Sequence, residues 1–248
     1  MSISTFFPCY NDGGTIASMV LVALITLDDI TDDYDVIVID DGSTDASRLI
    51  LKRLSEDYSR VRVIFHQENL GYGGALQSGF AAATKEFIFY TDGDAQYDVR
   101  ELRKLVSVLR DDVDVVQGYK TKRLDPIHRI IIGKVYQNAM RWMFGLKIRD
   151  VDCDFRLIRR AVFDKVKLER TSGVICLEMV KKIQDAGFRF VEVPVNHFFR
   201  AYGKSQFFNF IRVFRVGCDV LRLWWELVGS GRSGKQGVKG SSRRNRSG

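Results

Sequence analysis

Short apolar runs and segments of helical period alternate through the first half of the chain. Thr5-Phe6-Phe7 is followed by a helix-like stretch over 16–27, and DVIVID at 35–40 by a helix opening near Ser43. VRVIF at 61–65 is followed by a helix over 75–83, FIFY at 87–90 by one over 99–109, and VDVVQG at 113–118 closes the series. Strand-like runs separated by helices predict an α/β fold with a parallel sheet and right-handed crossovers. Between Gly118 and Asp150 this rhythm breaks, and Asp125-Pro126 reads there as an N-cap and first helical position. Near the end, residues 207–228 carry charges only at 212, 215, 219, 222 and 226. That spacing is one narrow polar stripe on an otherwise apolar helix.

Parallel sheets bind ligands beyond the carboxyl ends of their strands. A polar cluster follows each of the first four runs: Pro8-Cys9-Tyr10-Asn11-Asp12, Asp40-Asp41-Gly42-Ser43-Thr44-Asp45, Asn69-Leu70-Gly71-Tyr72-Gly73-Gly74, and Asp92-Gly93-Asp94 with Gln96. One such cluster is explained as a helix cap, for which Ser43 or Thr44 serves. Four on one rim make a nucleotide-sized crevice. The glycines from Gly71 onward are neither a dinucleotide fingerprint, which directly follows the first strand, nor a phosphate-binding P-loop, which needs a following Lys-Ser/Thr. They permit φ > 0 or close backbone approach to a ligand.

The cluster after FIFY carries the most specific chemistry. A hairpin turn at Asp92-Gly93 is disfavoured, because the downstream Leu102, Leu105, Val106 and Leu109 have helical rather than strand spacing. A helix–loop–helix calcium loop needs Gly sixth and Glu twelfth, where Tyr97 and Arg103 stand. In an extended segment Asp92, Asp94 and Gln96 point one way. Two carboxylates and an amide oxygen are hard ligands suited to Mg²⁺ or Mn²⁺, next to a bound pyrophosphate.

Composition narrows the setting. The 248 residues are 46% hydrophobic, enough for one large domain with appendages. Cys9, Cys153, Cys176 and Cys218 are scattered with no CxxC pair, which points to a reducing compartment and away from a disulfide framework or zinc site. The N-terminus shows no secretory pattern. The net charge of +7 is concentrated in 229–248, which has six basic residues and no acid, leaving 7 − 6 = +1 for the remainder. That Gly/Ser-rich tail lacks the apolar surface to order itself, and either contacts anionic lipid or nucleic acid or is merely solvated. The expected organisation is a catalytic domain over 1–206, an amphipathic helical segment over 207–228 and a basic disordered tail over 229–248.

With FPCYNDG, VIDDGSTD, NLGYGGAL and YTDGDAQ in this order, the sequence resembles the family 2 glycosyltransferases over roughly residues 4–206. DVDCDFRLIRR, LEM and VPVNHFFRAYGKSQF are similar to the branch that loads sugars onto polyprenyl phosphates, such as dolichyl-phosphate mannose synthase. The resemblance implies an A-type glycosyltransferase fold: a Rossmann-like, mostly parallel sheet flanked by helices, here with a C-terminal amphipathic helix. It also implies an inverting transfer from a UDP- or GDP-linked sugar. It puts Pro8, Tyr10 and Asp12 in the nucleoside pocket, Asp41 with Asp40 at the base or ribose, and Asp92, Asp94 and Gln96 on the metal. Asp12 stands where the family usually has Glu, and Asp154 where it often has Gly. Asp150 falls at the position near the reaction centre, as an orienting or catalytic carboxylate beside Asp94. Q-x-x-R-W, the mark of processive synthases, is not matched, because Gln137 and Arg141-Trp142 are one residue too far apart.

Lys120, Lys122, Arg123, Arg129, Lys134 and Arg141 form either a solvated basic face or an anion site for an acceptor phosphate, with Arg123, Arg129 and Lys134 as its principal contacts. A phosphate acceptor is already ionised and needs no general base, only positioning and charge neutralisation. Arg200 and Lys204 are placed to close over the pyrophosphate. Five charges make 207–228 a poor membrane span. Lying in the interface, with Trp224 and Trp225 as anchors, packing on the catalytic domain, and pairing with a partner helix stay open. The expectation is a cytoplasmic, membrane-peripheral transferase with no nucleic-acid role; a homo-oligomer or membrane-protein partner is left open. The rival readings are a hydroxyl acceptor, which would require Asp150 as base, and a non-catalytic nucleotide-binding protein.

Overall fold

The computed structural model describes residues 1–123, 127–200, 202 and 210–230, without the side chains of 122–131 and 210–213. The strands are β1 (Ile3–Cys9), β2 (Tyr34–Asp40), β3 (Val61–Phe65), β4 (Phe87–Thr91), β5 (Val115–Arg123), β6 (Phe155–Arg159) and β7 (Phe190–His197). The helices are α1 (Ile16–Asp28), α2 (Ser47–Asp57), α3 (Tyr72–Ala82), α4 (Leu102–Ser107), α5 (Ile127–Phe144), α6 (Val162–Lys165), α7 (Ile175–Asp185) and α8 (Phe210–Trp224). The strands form one sheet in the order β3-β2-β1-β4-β6-β5-β7. β6 runs antiparallel to both its neighbours, and the other pairings are parallel.

Alternation along each strand assigns its side chains to two covered faces. Ile3, Phe7, Val36, Val38, Phe87 and Phe89 pack against α1, α2 and α4. The intervening Phe6, Ile37, Ile39, Ile88 and Tyr90 pack against α3, α6 and α7. Burial on both faces is why these strands read as continuous apolar runs. A third cluster joins Met140 and Phe144 of α5 to Leu177 and Val180 of α7 and to Val220 and Leu223 of α8.

Local chemistry shifts several expected boundaries. α2 opens at Ser47, not near Ser43, because Asp45 Oδ1 accepts the Ser47 N–H at 2.9 Å. Ser43 Oγ instead accepts the Asn11 N–H at 3.0 Å and so joins the first two loops. α3 begins at Tyr72, ahead of the expected Ala75, directly after Gly71 at φ +83°. A Cβ on Gly71 would stand 2.7 Å from the Thr171 carbonyl, so glycine is required for both reasons. The expected 99–109 helix is a 3-10 turn over Val99–Glu101 leading into α4, with Asp98 capping it by accepting the Arg100 N–H. The break after Gly118 is a longer β5, to Arg123, with α5 as the next described element. The expected cap at Asp125-Pro126 lies outside the described residues.

Candidate functional site at the sheet switch point

From β1 the chain steps outward to β2 and β3, then returns to lay β4 on the other side of β1. Such a reversal opens a crevice at the carboxyl ends of the two strands flanking it. Cys9 ends β1 and Thr91 ends β4, so Tyr10–Asp12 and Asp92–Asp94 meet there. Gly93 lets them approach, since a Cβ on it would lie 2.9 Å from the Pro8 carbonyl oxygen. Thr15 Oγ, just before α1, donates to the Gly93 carbonyl at 2.8 Å and fixes the metal-type loop against the start of that helix. Pro8 is buried in β1, and Tyr10 is exposed on the rim.

Three carboxylates converge, those of Asp12 and Asp94 buried and that of Asp92 half-buried. Asp12 Oδ2 accepts the Tyr10 N–H at 3.3 Å, and Asp94 Oδ1 accepts the Gln96 N–H at 3.0 Å. Tyr72 donates its hydroxyl to Asp92 Oδ1 at 2.7 Å. The Arg200 guanidinium lies 3.5 Å from Asp12 and 3.3 Å from Asp94. Burial pushes the Asp12 carboxyl up to about 6, against the pull of Arg200. Burial also raises Asp92, helped by the charges of Asp154 and Asp94, and raises Asp94, with Arg200 opposing. Such a group of desolvated acids calls for cations.

The expected alternation of ligands stops at Asp94. Ala95 adopts φ +60°, which turns Gln96 toward the end of β7. There Gln96 Nε2 donates to the Phe198 carbonyl at 3.1 Å, and the Phe198 N–H donates to the Gln96 carbonyl at 2.8 Å. Among the described residues, no three Asp, Glu, His or Cys side chains are arranged to hold a metal by themselves. Asp92 and Asp94 still fit a Mg²⁺-type ion, which takes one or two protein carboxylates and completes its shell with substrate phosphates and water.

Behind the loop lies a network the sequence reading missed. Arg156 of β6 is 1% exposed and donates to Tyr90 Oη of β4, to Gln117 Oε1 of β5 at 2.5 Å and to the Val151 carbonyl. Asp154 Oδ1 accepts from Arg156 at 2.9 Å, from Cys176 at 3.0 Å and from Tyr90 at 3.3 Å. An acid where the family often has Gly thus meets a fully buried arginine. The arginine inside FRLIR, a run otherwise readable as plain strand, was the available signal.

Asp40 and Asp41 stand at the end of β2, both buried. Asp41 Oδ1 accepts from His66 Nδ1 at 2.7 Å and from the Leu70 N–H at 2.8 Å, so it shapes the loop before Gly71. Asp40 lies 3.2 Å from Arg48 Nη1, yet neither of its carboxylate oxygens has a hydrogen-bond partner among the described residues. Of the pair, Asp40 is the one with oxygens uncommitted to the loop.

On the other flank, Asp150 is buried rather than open as a base would be. Its Oδ1 accepts from Gln137 Nε2 of α5 at 2.5 Å and its Oδ2 from the Lys120 N–H of β5 at 3.3 Å. It joins α5 to the sheet, a positioning place in the structure. Lys120 Nζ donates to the Asp152 carbonyl at 2.7 Å. Lys134 and Arg141 are exposed on α5. The Arg123 and Arg129 side chains, and all of Lys204, lie outside the described residues.

α8 divides the two expected tryptophan anchors. Trp224 packs against α5 and donates its indole N–H to the Met143 carbonyl at 2.8 Å, whereas Trp225 is 65% exposed. The acids of the polar stripe bond inward to the loop before α7: Ser172 donates to Asp219 at 3.0 Å, and Arg170 pairs with Glu226. Outward face Phe214, Leu221 and Trp225 of the α8 region and Ile132, Val135 and Trp142 of α5, the last 86% exposed. No described helix is long and apolar enough to cross a membrane.

Comparison with known proteins agrees with this architecture. Residues 4–167 match the glycosyl transferase family 2. Glycosyltransferase AglD of Haloferax volcanii is 30% identical over 237 residues, covering 92% of this chain; the chain spans 38% of the length of that relative. Glucosyl-3-phosphoglycerate synthase from Mycobacterium tuberculosis, in complex with Mn²⁺, uridine diphosphate and phosphoglyceric acid, superposes with a TM-score of 0.69 at 17% identity, covering 91% of this chain and 78% of that one. The same enzyme with Mn²⁺ and UDP-glucose gives a TM-score of 0.65 at 16% identity, with coverage of 91% and 78%. The mostly parallel sheet with one reversed strand, flanked by helices, is thus the A-type glycosyltransferase fold, and the chain belongs to the family 2 glycosyltransferases.

Proposed function

We propose that this transferase moves a sugar, with inversion, from a UDP- or GDP-linked donor to a polyprenyl phosphate at the cytoplasmic face of a membrane. The observation that carries the reading is the meeting of Asp12, Asp92 and Asp94 beside Arg200 at the switch-point crevice. The nucleoside then lies over β1 and β2, where Tyr10 offers an exposed ring, with Asp40 and Asp41 at the end of β2 as the acids nearest the base or ribose. Asp92 and Asp94 would hold Mg²⁺ or Mn²⁺. A divalent cation there supplies neutralisation of the departing diphosphate. Arg200, with Lys204, adds positive charge to the same leaving group.

Asp150 fits a positioning part in this scheme, since a phosphate acceptor brings its own ionised oxygen. Lys134, Arg129 and Arg123 are the proposed partners of that phosphate. The lipid acceptor is favoured by the exposed apolar side chains of α5 and α8, helices that also carry the exposed Lys134, Arg141, Arg215 and Arg222. Exposed tryptophans among cations suit an anionic interface.

The test is a panel of UDP- and GDP-linked sugars assayed with and without Mn²⁺ against a short-chain polyprenyl phosphate, 3-phosphoglycerate and a neutral saccharide. Metal-dependent transfer to the polyprenyl phosphate is expected. Transfer only to 3-phosphoglycerate keeps the phosphate reading and removes the lipid. Transfer only to the saccharide removes both.

A further inference from the structure

The carboxylates of Asp12 and Asp94 each have one oxygen committed to a neighbouring N–H and one turned into the crevice. Asp12 Oδ2 takes the Tyr10 N–H and Asp94 Oδ1 the Gln96 N–H. The remaining Asp12 Oδ1 and Asp94 Oδ2 both face the same nitrogen, Arg200 Nη2, at 3.5 and 3.3 Å. The Asp94 oxygen without an N–H partner, and so the stronger donor to a metal ion, is Oδ2, the oxygen already facing the guanidinium. Two cations on one buried carboxylate oxygen repel strongly where screening is weak.

We propose that Arg200 and the divalent cation are alternative counterions of Asp94, so that metal binding releases the guanidinium to the donor diphosphate. This rests on the metal reading of Asp92 and Asp94. The segment carrying Arg200 is tied to the metal loop by the reciprocal bonds between Gln96 and Phe198, two residues before it. The backbone therefore stays anchored, and a swing of the side chain, 29% exposed at the crevice edge, completes the exchange. The arrangement makes metal and arginine antagonists without nucleotide and allies with it. The diphosphate then supplies the negative charge that both require.

The experiment is a Mn²⁺ titration of the full chain, followed by electron paramagnetic resonance of free Mn²⁺, with and without UDP or GDP. Without nucleotide, Arg200→Ala should bind Mn²⁺ roughly fivefold or more tightly than wild type, with Arg200→Lys close to wild type. With Mn²⁺ present, Arg200→Ala should bind the nucleoside diphosphate more weakly. As a second readout on the unaltered protein, phenylglyoxal modification of Arg200, followed by peptide mass spectrometry, should speed up on adding Mn²⁺. It should slow again when the diphosphate is added. Equal or weaker Mn²⁺ binding by a folded Arg200→Ala, or labelling insensitive to Mn²⁺, overturns the exchange while leaving the metal site standing. Absence of Mn²⁺ binding in every variant, with or without nucleotide, removes the metal reading and this inference with it.

Discussion

Tyr72 and Asp92, twenty positions apart, are joined by a hydrogen bond of 2.7 Å from the phenol to Oδ1. Tyr72 is the first residue of α3, so the glycine-rich loop and the metal loop are set by one contact. Burial pushes the phenol well above its ordinary range, so it stays a donor. Groups that orient a metal ligand matter nearly as much as the ligand. Tyr72→Phe should therefore weaken Mn²⁺ binding by about 10- to 100-fold with the fold intact. Calorimetry together with circular dichroism checks this, and unchanged affinity would show that Asp92 needs no such support.

Asp94→Ala should abolish transfer, because it deletes a hard ligand and the partner of Arg200 together. Steady-state assays in Mn²⁺-replete buffer decide it. Activity within about tenfold of wild type, a barrier change of about 1.4 kcal/mol, would remove Asp94 from the metal site.

Asp12 gives a pH signature. Its folded pKa of about 6 lies above the ordinary 3.8, so its ionisation opposes folding at neutral pH. That opposition fades as pH falls through 6 toward 3.8, because the folded chain takes up the proton first. Asp12→Asn should raise Tm at about pH 7.5 and raise it less at about pH 5. Calorimetric scans at both values test this, and an equal shift at both would mean the carboxyl is ionised throughout.

The exposed indoles separate two kinds of membrane attraction. Trp142 and Trp225 stand outside the protein core, so Trp142→Ser with Trp225→Ser should leave folding unaltered. The double variant should lose binding to anionic liposomes at every salt concentration, because apolar burial is not screened. Deleting 229–248 should lower binding mainly at low salt. Co-sedimentation across a salt series reads both, and a double variant that binds like wild type would place the membrane contact elsewhere.

The alternation of apolar runs and helices was enough to read β1 to β5, the parallel pairing of β1 to β4 and the rim on which Asp12, Asp41 and Asp92 stand, but not the reversed β6 or β7. Those features follow from burial periodicity and from the rule that ligands gather at strand carboxyl ends, both local in sequence. The direction in which each rim side chain turns was not local. Ala95 at φ +60° ended the expected alternation and sent Gln96 to Phe198. Asp41 turned to His66, Asp150 to Gln137, and Trp224 to Met143, each toward a partner at least 13 positions away. Helical period placed the α8 acids on one polar stripe but did not choose their partners, which are Ser172 and Arg170 of the loop before α7. A short polar side chain near a strand end has several hydrogen-bond options of similar strength. Only packing from distant segments, which brought Arg156 against Tyr90 and Arg200 over Asp94, selects among them.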